Sequence, residues 1–135
     1  MVPTVGRFEG IVLDASTGTR ADGGLQLQIG GGALTNYSGV AGIPCGSDSF
    51  TLDFSPLSGS TTITPGGAFT TSVSIGYSDG TSTIFTTNWT IAGQRAPDGS
   101  WSGTLKSDTS GGTGSWASCN ALNIVRQWRA SWTGN

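Results

Sequence analysis

Residues 69 to 77, Phe69-Thr-Thr-Ser-Val73-Ser-Ile75-Gly-Tyr77, set Phe69, Val73, Ile75 and Tyr77 on one parity and mostly small polar side chains on the other. An apolar period of two is what a half-buried strand needs, because successive side chains of a strand point to opposite faces. The next run repeats the pattern, with Phe85, Trp89 and Ile91 on one parity and Thr86, Asn88 and Thr90 on the other. Between them lies Ser78-Asp79-Gly80-Thr81, and an Asp-Gly step supplies the backbone angles of a tight turn. A hairpin over residues 68–92 is therefore predicted.

The same punctuation recurs along the chain. Asp98-Gly99, after Pro97, turns it into Ser100-Trp101-Ser102-Gly103-Thr104-Leu105, so a third antiparallel strand is expected and the three form a meander. Phe8 to Leu13 reads as a strand, and Asp22-Gly23-Gly24 reads as a turn into Leu25 to Ile29, which Gly30-Gly31-Gly32 then ends. Phe50, Leu52 and Phe54 alternate, and Leu122, Ile124, Trp128, Ala130 and Trp132 share one parity near the C-terminus. No segment carries a capped helical stripe. The expected fold is all-β, a single domain over 1–135, built as an antiparallel β-sandwich or a closed β-barrel of about eight to ten strands. Ser107 to Ser115, rich in Gly, Ser and Thr, is expected to be a mobile connection.

Composition removes most catalytic machinery. The chain has no His, and Glu9 is the one glutamate among eight acidic residues. A Ser-His-Asp relay, a histidine-held zinc and a pair of glutamates sharing acid and base work are all excluded. What remains is a glutamic-peptidase-like pairing of Glu9 with Gln26, Gln28 or Gln127, of which no motif is present. No cofactor and no metal site is expected, since Asp22, Asp79 and Asp98 are lone carboxylates before glycine, as turns require. A net charge of -2 with six scattered basic residues offers no face for nucleic acid. With no run of about 18 apolar residues and no basic amphipathic helix, membrane insertion is not expected.

Cys45 and Cys119 do not form a CxxC pair. Bridged, they would close a loop of about 75 residues, worth roughly 4 to 5 kcal/mol in the chain-entropy model; unbridged, they would be two buried thiols of a cytosolic protein. Charged residues are 10% of the chain against roughly 25% in an ordinary domain. With the abundant Ser and Thr, that favours the bridge and a secreted or cell-surface location.

Several landmarks, the opening Gly6-x-Phe8-x-Gly10, Cys45, the run Asp98-Gly99-Ser100-Trp101-Ser102-Gly103-Thr104-Leu105, and Cys119 followed by Trp128-x-Ala130, resemble secreted β-rich domains of bacteria, of the actinobacterial type. The resemblance implies a β-sandwich stapled by Cys45 and Cys119 and a secreted location, and it implies no catalytic residue. A second similarity, through the Gly and aromatic opening, Trp101-Ser-Gly103 and Gln127-Trp128, is to avidin-like barrels, in which Trp89, Trp101, Trp116 and Trp128 would wall a small-ligand pocket.

The candidate ligand platform is aromatic. Sugars lay their C–H faces on exposed rings while amides take their hydroxyls, so Trp101, Trp116 and Trp132, with Asn120, Asn123 and Gln127 nearby, form the expected site. Trp89 and Trp128, on strongly alternating strands, read as core. Arg126 shares the inward parity and needs an acidic partner, for which Asp53 is the candidate. The expected function is a non-catalytic module binding a glycan, a cell-wall polymer or a cell-surface protein. The alternative is an assembly protein, a surface filament subunit or phage decoration protein, that associates with itself.

Overall fold

The computed structural model describes residues 4–14, 18–19, 21–56 and 60–134. The chain forms β1 (Gly6–Leu13), β2 (Ala21–Gly30), β3 (Ala33–Cys45), β4 (Asp48–Phe54), β5 (Thr61–Thr62), β6 (Ala68–Ser78), β7 (Thr83–Arg95), β8 (Trp101–Ser110), a 3-10 helix (Gly114–Cys119) and β9 (Ala121–Gly134). All pairings are antiparallel, in the order β4-β3-β2-β1-β9-β8-β7-β6, with β5 on β3. Two meanders, β1 to β4 and β6 to β9, are joined at the centre by β1 and β9. The all-β expectation holds. The arrangement is one sheet curled into a half-barrel, not two facing sheets, and its edges β4 and β6 share no ladder.

The second meander follows its turn chemistry. Gly80 has φ 102°, and the Asp79 carboxylate accepts the Thr81 and Ser82 N–H groups at 2.9 and 3.0 Å and the Thr81 hydroxyl at 2.8 Å. At the next turn Gly99 has φ 90° and the Asp98 carboxylate accepts from the Ser100 N–H and hydroxyl. These are side chains imitating a backbone turn.

The concave side is filled with rings. Trp89, Trp101, Trp128, Phe8 and Phe85 are fully buried; Trp89 stacks on Phe54 at 4.7 Å, and Phe69 packs on Trp101 and Trp128 at 5.3 and 6.3 Å. Each tryptophan removes about 150–250 Å² from water, and the rings share the core with Leu25, Leu27, Ile29, Leu34, Ile43, Leu52, Ile91 and Leu105. Glycines make the curl possible. Phe54 lies over its cross-strand partner Gly39, and Phe69 over Gly93, where an added Cβ would collide with the covering ring. Gly10 sits so close to β9 that a Cβ there would run into the Arg129 carbonyl. Glycine kinks roofed by aromatic rings are a known way to bend a sheet.

Among the described residues, β1 pairs with the Trp128 to Gly134 half of β9, and residues 121–127 pair with β8. Arg126 ties this half of β9 to β2 and β3. Its side chain is 3% exposed; Nε donates to the Asp22 carboxylate at 3.1 Å, one terminal nitrogen to the Ser107 hydroxyl at 3.3 Å, and the other to the Gly42 carbonyl. The Cys45–Cys119 disulfide ties the end of β3 to the 3-10 helix beside it.

Four expectations are corrected and one strand was not foreseen. The partner of Arg126 is Asp22, not Asp53, and Asp22-Gly23-Gly24 is no turn but part of β2. Ser107 to Ser110 continue β8, with Ser107 and Thr109 buried, and only residues 111–113 precede the 3-10 helix. The strand Ala33–Cys45, which the sequence pattern did not reveal, follows the Gly31-Gly32 turn directly. Leu122 does not share the inward face: it is 66% exposed, because one extra residue of β9 sits between the pairs Ser107–Ile124 and Thr109–Ala121. The bulge puts Asn123 at φ 58°, with its N–H donated to Asp108 at 2.6 Å.

Candidate functional site

One row of paired residues, Gly10–Leu25–Gly39–Phe54, runs across β1 to β4. The neighbouring residues point the other way, giving Glu9, Gln26 and Ser38 on one side of that row and Val40 and Asp53 on the other. Gly24 contributes no side chain between them. The result is an open cleft of about 750 Å³ with Gly10, Gly24 and Gly39 among its lining residues, reaching Ser55 and, across the β4–β6 seam, Ile75. That volume lies within the range of small-ligand sites, roughly 300–1,000 Å³.

The register fixes the polar groups in order. Glu9 is directly opposite Gln26, Gln26 opposite Ser38, and Val40 opposite Asp53. The seam end is held by a relay in which Trp89 Nε1 donates to the Tyr77 hydroxyl at 2.8 Å and that hydroxyl donates to the Asp53 carbonyl at 2.7 Å. Burial pushes the Tyr77 phenol above its ordinary 10.0, the Trp89 N–H offsets part of that, and the Asp53 charge adds to it. Tyr77 is thus a neutral clasp between the two sheet edges. No three His, Cys, Asp or Glu side chains cluster among the described residues. What the cleft offers is two carboxylates, an amide and two hydroxyls beside apolar Val40 and Ile75, a set that can hydrogen-bond several hydroxyls of one ligand at once.

The chain matches no family model, no curated protein and no solved structure. The reading of the site therefore rests on its own geometry.

The tryptophan platform is not assembled. Trp101 is 1% exposed, packed on Phe69 with the Arg95 guanidinium 5.9 Å above its ring, so no face is free for a sugar. Trp116 is half-buried on the 3-10 helix, edge-on to Phe50 and Phe85 at 5.0 and 6.0 Å. Trp132 is 43% exposed and donates from Nε1 to the Val5 carbonyl at 3.0 Å. Some ten residues of β9, about 30 Å of extended strand, separate the helix that carries Trp116 from Trp132. The amides are equally dispersed. Asn120 closes the loop before the helix, accepting the Gly112 N–H at 2.8 Å and donating to the Gly112 carbonyl at 2.9 Å; Asn123 forms the β9 bulge, and Gln127 is exposed opposite Thr104.

The cleft residues Ser38, Val40 and Ser55, which sequence reasoning passed over, carry no composition signal, and Ile75 was read only as an apolar strand residue. Gln26 and Glu9 were singled out only as a catalytic pair. The structure does set them side by side, on an open sheet face.

Proposed function

We propose that this chain is a non-catalytic, secreted or surface-displayed module that binds a glycan, and that the Glu9–Gln26–Ser38–Asp53 cleft receives it. The observation that carries this reading is the alignment of carboxylates, amide and hydroxyls along an open trough. Carboxylate and amide groups pair well with neighbouring sugar hydroxyls, and an open trough admits a chain that a closed pocket would exclude. The disulfide is compatible with an oxidising, extracellular setting. An avidin-like interior pocket is disfavoured, because Trp89, Trp101 and Trp128 are packed against other rings instead of walling a space.

A glycan-array screen tests the proposal with wild type beside Glu9→Gln, Gln26→Ala and Asp53→Asn. The expected outcome is that folded cleft variants lose roughly tenfold or more in affinity, as for a charge-assisted hydrogen bond of about 1.5–3 kcal/mol. Trp116→Ala and Trp132→Ala should keep binding. Binding lost in the tryptophan variants but kept in the cleft variants would reject the site.

The assembly reading has one observation in its favour: β4 and β6 both present unpaired edges at the seam, and such edges can pair with another chain. Light scattering during gel filtration separates the two readings, since the glycan module is expected to elute as a monomer.

A further inference from the structure

A smaller hollow of about 210 Å³ lies beside the cleft on β1, β2 and β3, lined by Arg7, Gln26, Gln28, Asn36, Tyr37 and Ser38. Gln26 and Ser38 line both spaces and so form the wall between them. The ladders explain the layout. Arg7 is opposite Gln28 and Gln28 opposite Asn36, while Glu9 is opposite Gln26 and Gln26 opposite Ser38. The two rows are two residues apart on each strand, hence about 7 Å, and their side chains share one face of the sheet.

Charge distinguishes the hollow from the cleft. Glu9 and Asp53 line the cleft, whereas the charged residue lining the hollow is Arg7. The ion pairs among the described residues are Lys106–Asp108 and Arg126–Asp22. The exposed Arg7 guanidinium therefore has no carboxylate partner among them, although Glu9 follows two residues later on the same face. The groups around it can all donate. The Tyr37 N–H donates to Asn36 Oδ1 at 2.9 Å, which leaves the Asn36 amide nitrogen for a ligand. The Gln26 and Gln28 amides and the Ser38 hydroxyl add further N–H and O–H groups.

We propose that this hollow binds a singly charged oxyanion substituent, a carboxylate or a sulfate ester, carried by the glycan that occupies the cleft. The proposal rests on the glycan reading of that cleft. Size and charge select the ligand class. The volume lies below the roughly 300–1,000 Å³ of small-ligand sites, so the hollow takes a substituent and not a further stretch of chain. One guanidinium balances one negative charge, and its planar fork meets two oxygens of a carboxylate or sulfate at once. A phosphate monoester carries nearly two charges at neutral pH and would keep one uncompensated. Glu9 and Asp53 repel acid from the cleft itself, so the ligand is neutral there and acidic only across the Gln26–Ser38 wall. The span between the two rows is one that a single substituted sugar ring covers.

The experiment is a calorimetric comparison of galactose-, glucose-, mannose- and xylose-based oligosaccharides, each neutral, bearing one uronic acid residue, or bearing one sulfate ester. Wild type should bind at least one acid-bearing chain about five- to tenfold more tightly than its neutral counterpart, and added salt should shrink the difference. Whether carboxylate or sulfate gains more identifies the substituent. Arg7→Gln should erase the difference at unchanged affinity for the neutral chain. Asn36→Asp keeps an acceptor for the Tyr37 N–H and puts a negative charge into the hollow, so it should turn the preference toward the neutral chain. Gln26→Ala with Asp53→Asn should instead weaken neutral and acidic chains alike. Loss of binding in that double variant, with the acid preference untouched by Arg7→Gln and Asn36→Asp, overturns the proposal and leaves the cleft standing. The converse pattern rejects the cleft and keeps an acid site at Arg7. Equal or weaker binding of every acid-bearing chain by wild type also overturns the proposal, and absence of binding to any chain rejects both sites.

Discussion

At the scale of single residues, two polar side chains do structural work that their surroundings make measurable. Hydrogen bonds from the Thr81 and Ser82 N–H groups and the Thr81 hydroxyl lower the Asp79 carboxyl from 3.8 to about 2. A folded-state pKa below the unfolded one means that the contribution is present above pH 3.8 and is lost as pH falls toward 2. A carbon-detected NMR titration should therefore find Asp79 titrating well below an ordinary aspartate, and Thr81→Ala should move it upward; a midpoint near 3.8 would contradict the turn geometry. Arg126 presents a harsher balance. Removing one partner of a buried ion pair costs about 3–5 kcal/mol, whereas replacing the whole pair with apolar groups is often neutral. Asp22 keeps some solvent contact, its side chain being 27% exposed, so Asp22→Ala should fall at the low end of that cost. Arg126→Met should cost less than Asp22→Ala, because it leaves behind no buried charge. Chemical denaturation of the two variants gives the order, and the reverse order would mean that the guanidinium is stabilised mainly by Ser107 and Gly42.

At the scale of elements, what was legible in the sequence follows strand parity, and what was hidden follows its interruption. The β6–β7–β8 meander was readable because Phe69, Val73, Phe85, Trp89, Ile91 and Leu105 keep strict alternation between Asp-Gly turns. β3 was not, because its register shifts where Gln28 faces Asn36 and Ile29 faces Leu34. Thr35 is the extra residue, its hydroxyl donating to the Gln28 carbonyl at 3.0 Å, so Leu34 and Tyr37 both point inward although they are three apart. The bulge at Asn123 misplaced Leu122 in the same way. Trp101 could have been placed in the core by parity, since it lies four residues from the fully buried Leu105 on one strand. The cleft could not have been found so. Its residues come from β1, β2, β3, β4 and β6, and only the register of four ladders and the glycine-set curl bring them alongside one another. Polar residues on outward positions look alike until the sheet bends.

At the scale of the whole molecule, two regions of the sheet are tied across strands that share no ladder, each by a different kind of bond. The β4–β6 seam is spanned by the Tyr77–Asp53 hydrogen bond and the Phe54–Trp89 stack, contacts that can part without breaking a ladder. The first half of β9 and the helix before it are tied to β2 and β3 by Arg126 and by the Cys45–Cys119 bridge, whose sequence separation is 74. A bridge over a loop that long removes unfolded-state entropy worth roughly 4 to 5 kcal/mol, a large fraction of the 5–15 kcal/mol typical of a domain. Cys45→Ala with Cys119→Ala should therefore lower the denaturation midpoint severely at unchanged glycan affinity, because the cleft lies on strand segments away from Cys45 and the helix. Hydrogen exchange should show a local loss on top of that general one: in the variant, amides of residues 42–45 and 121–126 should gain more in exchange rate than those of the β6–β8 meander. Uniform acceleration across the sheet would mean that the bridge acts only through the unfolded chain. Unaltered exchange at 121–126 together with an unaltered midpoint would mean that Arg126 alone ties this half of β9 to β2 and β3.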